Sequence, residues 1–224
     1  MDRATVRYVD ITIRQPDEQL HPMQRFIRDE DVVSYEELVA WTLRPTQGEQ
    51  LSLFYVEADL EPYEAAIRSV ESIDRYRLIT LDDTAAHVWV VEQLRPEFLS
   101  FAAPFADSDV IVLPPVRFDD GAAMRMTLVG PGADIQTALD AVGETSRLTV
   151  HRVGGFDPRH GDPMGELTDR QREAVQIALD CGYYAVPREA DLAEVADALD
   201  CTQSTASVLL RRAERTVLDR IVQR

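Results

Sequence analysis

Three arginines, Arg211, Arg212 and Arg215, follow a run of short and amide side chains: Thr202, Gln203, Ser204, Thr205, Ser207 and Val208. Guanidinium groups suit phosphate oxygens and the acceptor edge of guanine, and short polar side chains allow close approach to base edges. Such a set needs one element to present it, a helix whose N-terminal end enters the major groove of double-stranded DNA. Arg170 and Arg172, well upstream, are candidate clamps on the DNA backbone.

Other residue types offer less chemistry. His21, His87, His151 and His160 are scattered, with no i, i+4 pair and no neighbouring cysteine, so neither metal nor cofactor is expected. No nucleophile comes with a base and an orienting partner, and Gly130-Pro131-Gly132 has too few glycines for a dinucleotide turn. We therefore expect no enzyme. His21 opens a helix and is the histidine to follow. Cys181 and Cys201 fall at helix ends on apolar faces, where a thiol serves as a small hydrophobe; two such cysteines make no disulfide framework.

The elements that must position the arginines have their own start and stop signals. Thr168 with Gln171 is a capping box opening a first helix, whose apolar stripe is Ala174, Val175, Ala178 and Leu179. Gly182 suits its left-handed end, Tyr183, Tyr184 and Val186 are expected to pack the following loop down, and Pro187 stops the helix from resuming. Asp191 with Glu194 caps a short second helix that buries Leu192, Val195, Ala196 and Leu199. Asp200-Cys201 leaves room only for a sharp turn. A third helix begins at Thr202 and turns Ala206, Leu209, Leu210, Ala213, Val217 and Ile221 inward. Short helix, tight turn and longer polar-faced helix is the helix-turn-helix pattern.

The blocks Leu167-Thr168-Asp169-Arg170-Gln171-Arg172-Glu173-Ala174, Gly182-Tyr183-Tyr184, Val186-Pro187-Arg188 and Leu210-Arg211-Arg212-Ala213-Glu214 occur in an order and spacing that resembles the C-terminal helix-turn-helix of the bacterio-opsin-activator (Bat-type) regulators of halophilic archaea. The resemblance covers about a quarter of the chain. It departs at Cys201, where the family usually carries an aliphatic residue, and at Gln203, often basic there. It implies a transcription regulator with a variable N-terminal region.

Net charge is −17, which repels phosphate, yet all 23 basic residues are arginine. Excess carboxylate without lysine suits concentrated salt, where a Debye length of ~3 Å at 1 M hides the net charge from DNA. From Thr202 onward five arginines face only Glu214 and Asp219, so the local patch is basic. No apolar run approaches the ~20 residues of a membrane span, and no signal peptide is apparent, so a cytoplasmic protein without membrane association is expected.

From Thr5 to Gly155 the order strand, helix, strand, strand, helix, strand occurs twice, at a period of about 80 residues. The expected fold is α+β: tandem ferredoxin-like units over 1–155 (halves 5–83 and 84–155), a breaker-rich linker at 156–166, and a helix-turn-helix domain at 167–224. Trp41 and Trp89 sit at strand centres and read mainly as core. An aromatic-lined cleft between the halves, with Arg44, Arg95, Arg117 and Arg125 holding an anionic metabolite, is the sharper alternative.

These observations point to a transcription regulator, expected as a homodimer, whose N-terminal region senses a small-molecule effector or mediates assembly. Two other readings stay open. The helical part could serve dimerisation of a small-molecule binder or enzyme, or the chain could act on the basal transcription machinery without an operator of its own.

Overall fold

The computed structural model describes residues 6–106, 108–156 and 167–222, with side chains of the last helix described as far as 219. Two compact units divide the chain, 1–156 and 157–224. Past Phe156, the segment read as a linker lies outside the described residues, as does His160.

The first unit carries β1 (Val6–Arg14), α1 (Pro22–Asp29), β2 (Val33–Arg44), β3 (Glu49–Ala58), α2 (Leu60–Ser69), β4 (Ile73–Thr80), β5 (Ala85–Gln93), α3 (Pro96–Ala106), β6 (Ile111–Phe118), β7 (Met124–Pro131), α4 (Gly132–Gly143) and β8 (Arg147–Gly155). One eight-stranded antiparallel sheet runs β4-β5-β3-β2-β6-β7-β1-β8. Period-2 alternation decides which side of each strand is covered. Val9, Ile11 and Ile13 of β1 are buried between β7 and β8, and Val56, Val88 and Val90 are buried on β3 and β5. Fully burying an aliphatic side chain of this size stabilises by roughly 1.5–3 kcal/mol.

The first strand does not join the strands that follow it. β1 pairs β7 and β8, whereas β3 and β4 enclose β5. Two cores result. One gathers β1, β7, Phe105 of α3 and Ile135, Ala138 and Val142 of α4; the other gathers Met23, Tyr63, Ile67 and the buried side of β3 and β5. The two halves of the sheet meet where β2 pairs β6 over only Glu36–Phe118, Glu37–Arg117 and Leu38–Val116.

The β6–β7 turn is tied by Asp119, whose Oδ1 accepts from Gly121 N at 2.9 Å and Ala123 N at 2.8 Å. The left-handed residue there is Ala122 (φ 58°), not the glycine. Gly130 is required for a different reason: a Cβ there would stand 2.6 Å from Asp109 O.

The second unit contains α5 (Asp169–Asp180), α6 (Leu192–Ala198) and α7 (Gln203–Val222). Its core is Ala174, Ala178, Val195, Ala196, Leu199, Ala206 and Leu210, none more than 2% exposed. Alanine at so many of these positions lets helix axes approach closely. Leu179, expected in the buried stripe of α5, is 55% exposed. Val186, expected to pack the loop, is 99% exposed, and Tyr183 packs against the helical core in its place.

Candidate nucleic-acid interface

Three capped helix starts and two left-handed ends set the geometry of the second unit. Thr168 Oγ1 accepts from Gln171 N at 3.3 Å while Gln171 Oε1 accepts from Thr168 N at 2.9 Å. Asp191 Oδ1 accepts from Ala193 N and Glu194 N, and Glu194 Oε2 accepts from Asp191 N at 2.8 Å. Thr202 Oγ1 accepts from Thr205 N at 3.2 Å and lies 2.9 Å from Thr205 Oγ1, so both hydroxyls are engaged at the start of α7.

α5 ends with Gly182 at φ 79°; Tyr183 N donates to Ala178 O and Gly182 N to Leu179 O. α6 ends in the same way, with Cys201 N donating to Ala196 O and Asp200 N to Asp197 O, but its left-handed residue is Asp200 at φ 49°. This paired-bond ending turns the chain sharply, so that only Leu199–Thr202 separate α6 from α7.

Burial then sorts the faces of α7. Ala206, Leu210 and Ala213 point into the core. Opposite them, Ser204, Val208, Arg211 and Arg215 recur at spacings of four, three and four residues and form one exposed ridge, with Gln203, Thr205 and Arg212 exposed beside it. Ser207 is half-buried and lies at the edge of that face. Among the described residues neither Arg211 nor Arg212 has an ion-pair partner. Arg215 Nε lies 3.3 Å from Asp219 Oδ2, in an exposed pair of little energetic weight.

The α5 arginines differ from these. Arg170 donates to the carbonyl of Leu199, the C-terminal cap of α6, and to Glu173 Oε2 at 2.6 Å. It thus closes one of the carbonyls that a helix end leaves unpaired, and holds α5 against the turn. Arg172 is half-buried. The α5–α6 loop is fixed by aromatics: Tyr183 and Tyr184 pack edge-on at 5.0 Å, Arg188 lies 4.6 Å over the Tyr183 ring, and Tyr184 OH donates to Glu214 of α7 at 2.5 Å. Burial, then the Glu214 carboxylate, raises the Tyr184 phenol well above its usual range. The Tyr184–Glu214 tie was not legible in sequence, since no local signal relates residues thirty apart. Cys181 and Cys201 are free and half-buried.

The first unit has its own cluster. His21 caps α1 through Nδ1, which accepts from Met23 N at 3.1 Å, and its Nε2 meets Glu92 Oε1 at 2.7 Å. Ser72 Oγ donates to the same oxygen at 2.7 Å, and Arg95 Nε lies 3.5 Å away. Burial opposes this charge, but His21, Ser72 and Arg95 together hold the Glu92 carboxyl below its usual range. His21, Glu92 and Arg95 stand on the lining of a cavity of about 470 Å³ that draws on both cores. Trp41 lines it; Trp89, one residue out of phase with the lining residues Val88 and Val90, does not. Of the four arginines expected at a cleft, only Arg95 is there. Arg44 sits 3.8 Å from Glu49, and Arg117 sits 3.5 Å from Glu37. His87 and His151 make hydrogen bonds to Phe54 O and Thr12 Oγ1. Among the described residues no group of three acidic, histidine or cysteine side chains could hold a metal, and no helix is long and apolar enough to cross a membrane.

A three-helix unit with a sharply turned last pair and an arginine ridge on the outward side of the second is a helix-turn-helix, and residues 167–219 match the family described as HTH DNA binding domain. Residues 21–156 match the HVO_0513_N family, described as N-terminal, and because that match spans more than half of the chain, the chain belongs to this family. Among curated relatives, it is 38% identical over 95 residues to a dimethyl sulfoxide reductase transcriptional activator of Halobacterium salinarum, covering 41% of this chain and 42% of the relative. It is 47% identical over 57 residues to the transcriptional regulator NarO of Haloferax volcanii (25% and 27%), and 43% identical over 119 residues to a dimethyl sulfoxide reductase transcriptional activator of the same organism (49% and 55%). The chain thus spans about half, or less, of the length of the curated relatives that it matches.

Proposed function

We propose that the chain is a DNA-binding transcription regulator that acts by recognition rather than catalysis. The observation that carries this reading is the solvent-facing ridge of α7, with Arg211 and Arg212 unpaired among the described residues, on a unit matched to DNA-binding domains. In this reading the N-terminal end of α7 enters the major groove. Gln203 and Ser204 reach base edges, with Thr202, Thr205, Ser207 and Val208 around them, while Arg211, Arg212 and Arg215 fix the register on phosphates. Arg170 and Arg172 of α5 are the backbone clamps of this reading. Arg170, bound to Leu199 and Glu173, also keeps the turn in place.

A single recognition helix buries little surface, so a homodimer on a two-fold site is part of the proposal. So is the division into 1–155, a linker at 156–166, and 167–224. We read the N-terminal unit as two ferredoxin-like halves, 5–83 and 84–155, that exchange their first strands. The strand orders β4-β5-β3-β2 and β8-β1-β7-β6 support this, each being the ferredoxin-like order with the other half's first strand inserted. That unit binds a small-molecule effector in its cavity and passes the state to the assembly. Names of the relatives as transcriptional activators and regulators favour an operator-binding role over a helical part used only for dimerisation.

Selection from fragmented genomic DNA at molar potassium chloride tests the proposal. Enrichment of discrete, repeat-containing fragments is expected. Retention of genomic and random DNA to the same extent would remove the operator-reading role and leave only an action on other proteins.

A further inference from the structure

The cavity of the first unit lies under the strands where the two halves of the sheet meet, and its volume, about 470 Å³, suits a small organic molecule. Its walls are largely apolar: aliphatic side chains and methionines make up most of the lining, with Trp41, Phe54, Phe101, Phe105 and Phe118 among them. Four ionisable side chains other than tyrosine stand on the lining, and three of them satisfy one another, since His21 and Arg95 both lean on Glu92. The fourth is Glu36. It is 4% exposed, sits on β2 opposite Phe118 and Val56, and has no ion-pair partner among the described residues. The Tyr63 hydroxyl donates to its Oε1 at 2.7 Å.

A carboxyl so deep in apolar surroundings is costly to ionise, and burial pushes it up to about 7 despite the Tyr63 hydrogen bond. A positive charge placed beside this carboxyl would offset the cost of ionising it. A ligand that brought positive charge together with apolar bulk would pair with the carboxylate, and aromatic side chains in the lining are suited to cation–π contact with it. An anionic ligand would meet the opposite field at the same place.

We propose that this cavity is the binding site for an aromatic or otherwise lipophilic organic cation, with Glu36 as its counter-ion and the apolar side chains of the lining, aromatics among them, as its walls. The proposal rests on the reading that the N-terminal unit binds a small molecule and specifies the chemistry of that molecule. A cation seated there lies against the short β2–β6 junction, the position from which occupancy could alter how the two halves pair.

The test uses two ions of the same shape and opposite charge, tetraphenylphosphonium and tetraphenylborate, on the full chain in concentrated sodium chloride, by equilibrium dialysis. Tetraphenylphosphonium is expected to bind more tightly than tetraphenylborate. Glu36→Gln, which keeps the shape and the Tyr63 contact, is expected to weaken the cation by roughly tenfold or more, the order of one lost charge-assisted contact, and not the anion. Equal or tighter binding of the anion, or a Glu36→Gln chain that holds the cation as well as wild type, overturns the proposal while leaving a small-molecule site in place. Failure of both ions to bind overturns it together with the small-molecule reading. The comparison of the two ions needs only the wild-type chain, so it stands even if the variant does not fold.

Discussion

At the scale of single residues, two side chains carry more of the account than their neighbours. Asp200 occupies the left-handed position of the turn between α6 and α7, where glycine is the common solution and a β-branched residue is poorly tolerated. Asp200→Gly is expected to leave stability unchanged or slightly raised, whereas Asp200→Val should cost more than about 1 kcal/mol, the scale of left-handed strain. Chemical denaturation in high salt measures both; equal stability of the two variants would mean that the turn is not built as described. Glu36 gives a prediction in pH. Its native carboxyl holds a proton more tightly than an exposed one, with its value raised from 4.5 to about 7. The stability it contributes is therefore fully present below about 4.5 and lost as pH rises through about 7, by up to about 3 kcal/mol. Glu36→Gln should accordingly gain on wild type in unfolding free energy between about pH 4.5 and pH 7. A gap that stays constant over that window would show that burial does not raise the carboxyl above the range of an exposed one.

At the scale of elements, local signals carried far. Capping pairs Thr168–Gln171 and Asp191–Glu194 could be read directly, because a cap depends on residues three apart. The double strand-helix-strand-strand-helix-strand order was legible for the same reason: alternation and helical spacing are short-range patterns. Strand partnership was not. Nothing in Val6–Arg14 says that it pairs residues 124–131 rather than the strands that follow it, since either neighbour would bury Val9, Ile11 and Ile13. Likewise the isolated carboxyl of Glu36 looked like any polar position on an alternating strand until α2 brought Tyr63 over it. The strand order is open to a direct check. Thr12 and Arg125 are register partners on β1 and β7, so Thr12→Cys with Arg125→Cys should close an intrachain disulfide on mild oxidation. Persistent free thiols at both positions would place β1 elsewhere.

At the scale of the whole molecule, concentrated salt and local geometry together would reconcile a net charge of −17 with the proposed polyanionic partner. Its carboxylates are spread over both units, but the ridge of α7 presents Arg211, Arg212 and Arg215 together, and only Asp219 answers any of them among the described residues. Screening removes the long-range repulsion and leaves short-range hydrogen bonds to decide. The most direct measurement is operator-fragment binding at molar potassium chloride by wild type and by the double variant Arg211→Ala with Arg212→Ala, each checked by thermal unfolding. We expect wild type to shift the fragment, and the double variant to lose binding by at least about a hundredfold while melting within a few degrees of wild type, since exposed, unpaired arginines add little to folding. A double variant that binds with wild-type affinity would contradict the account at its centre.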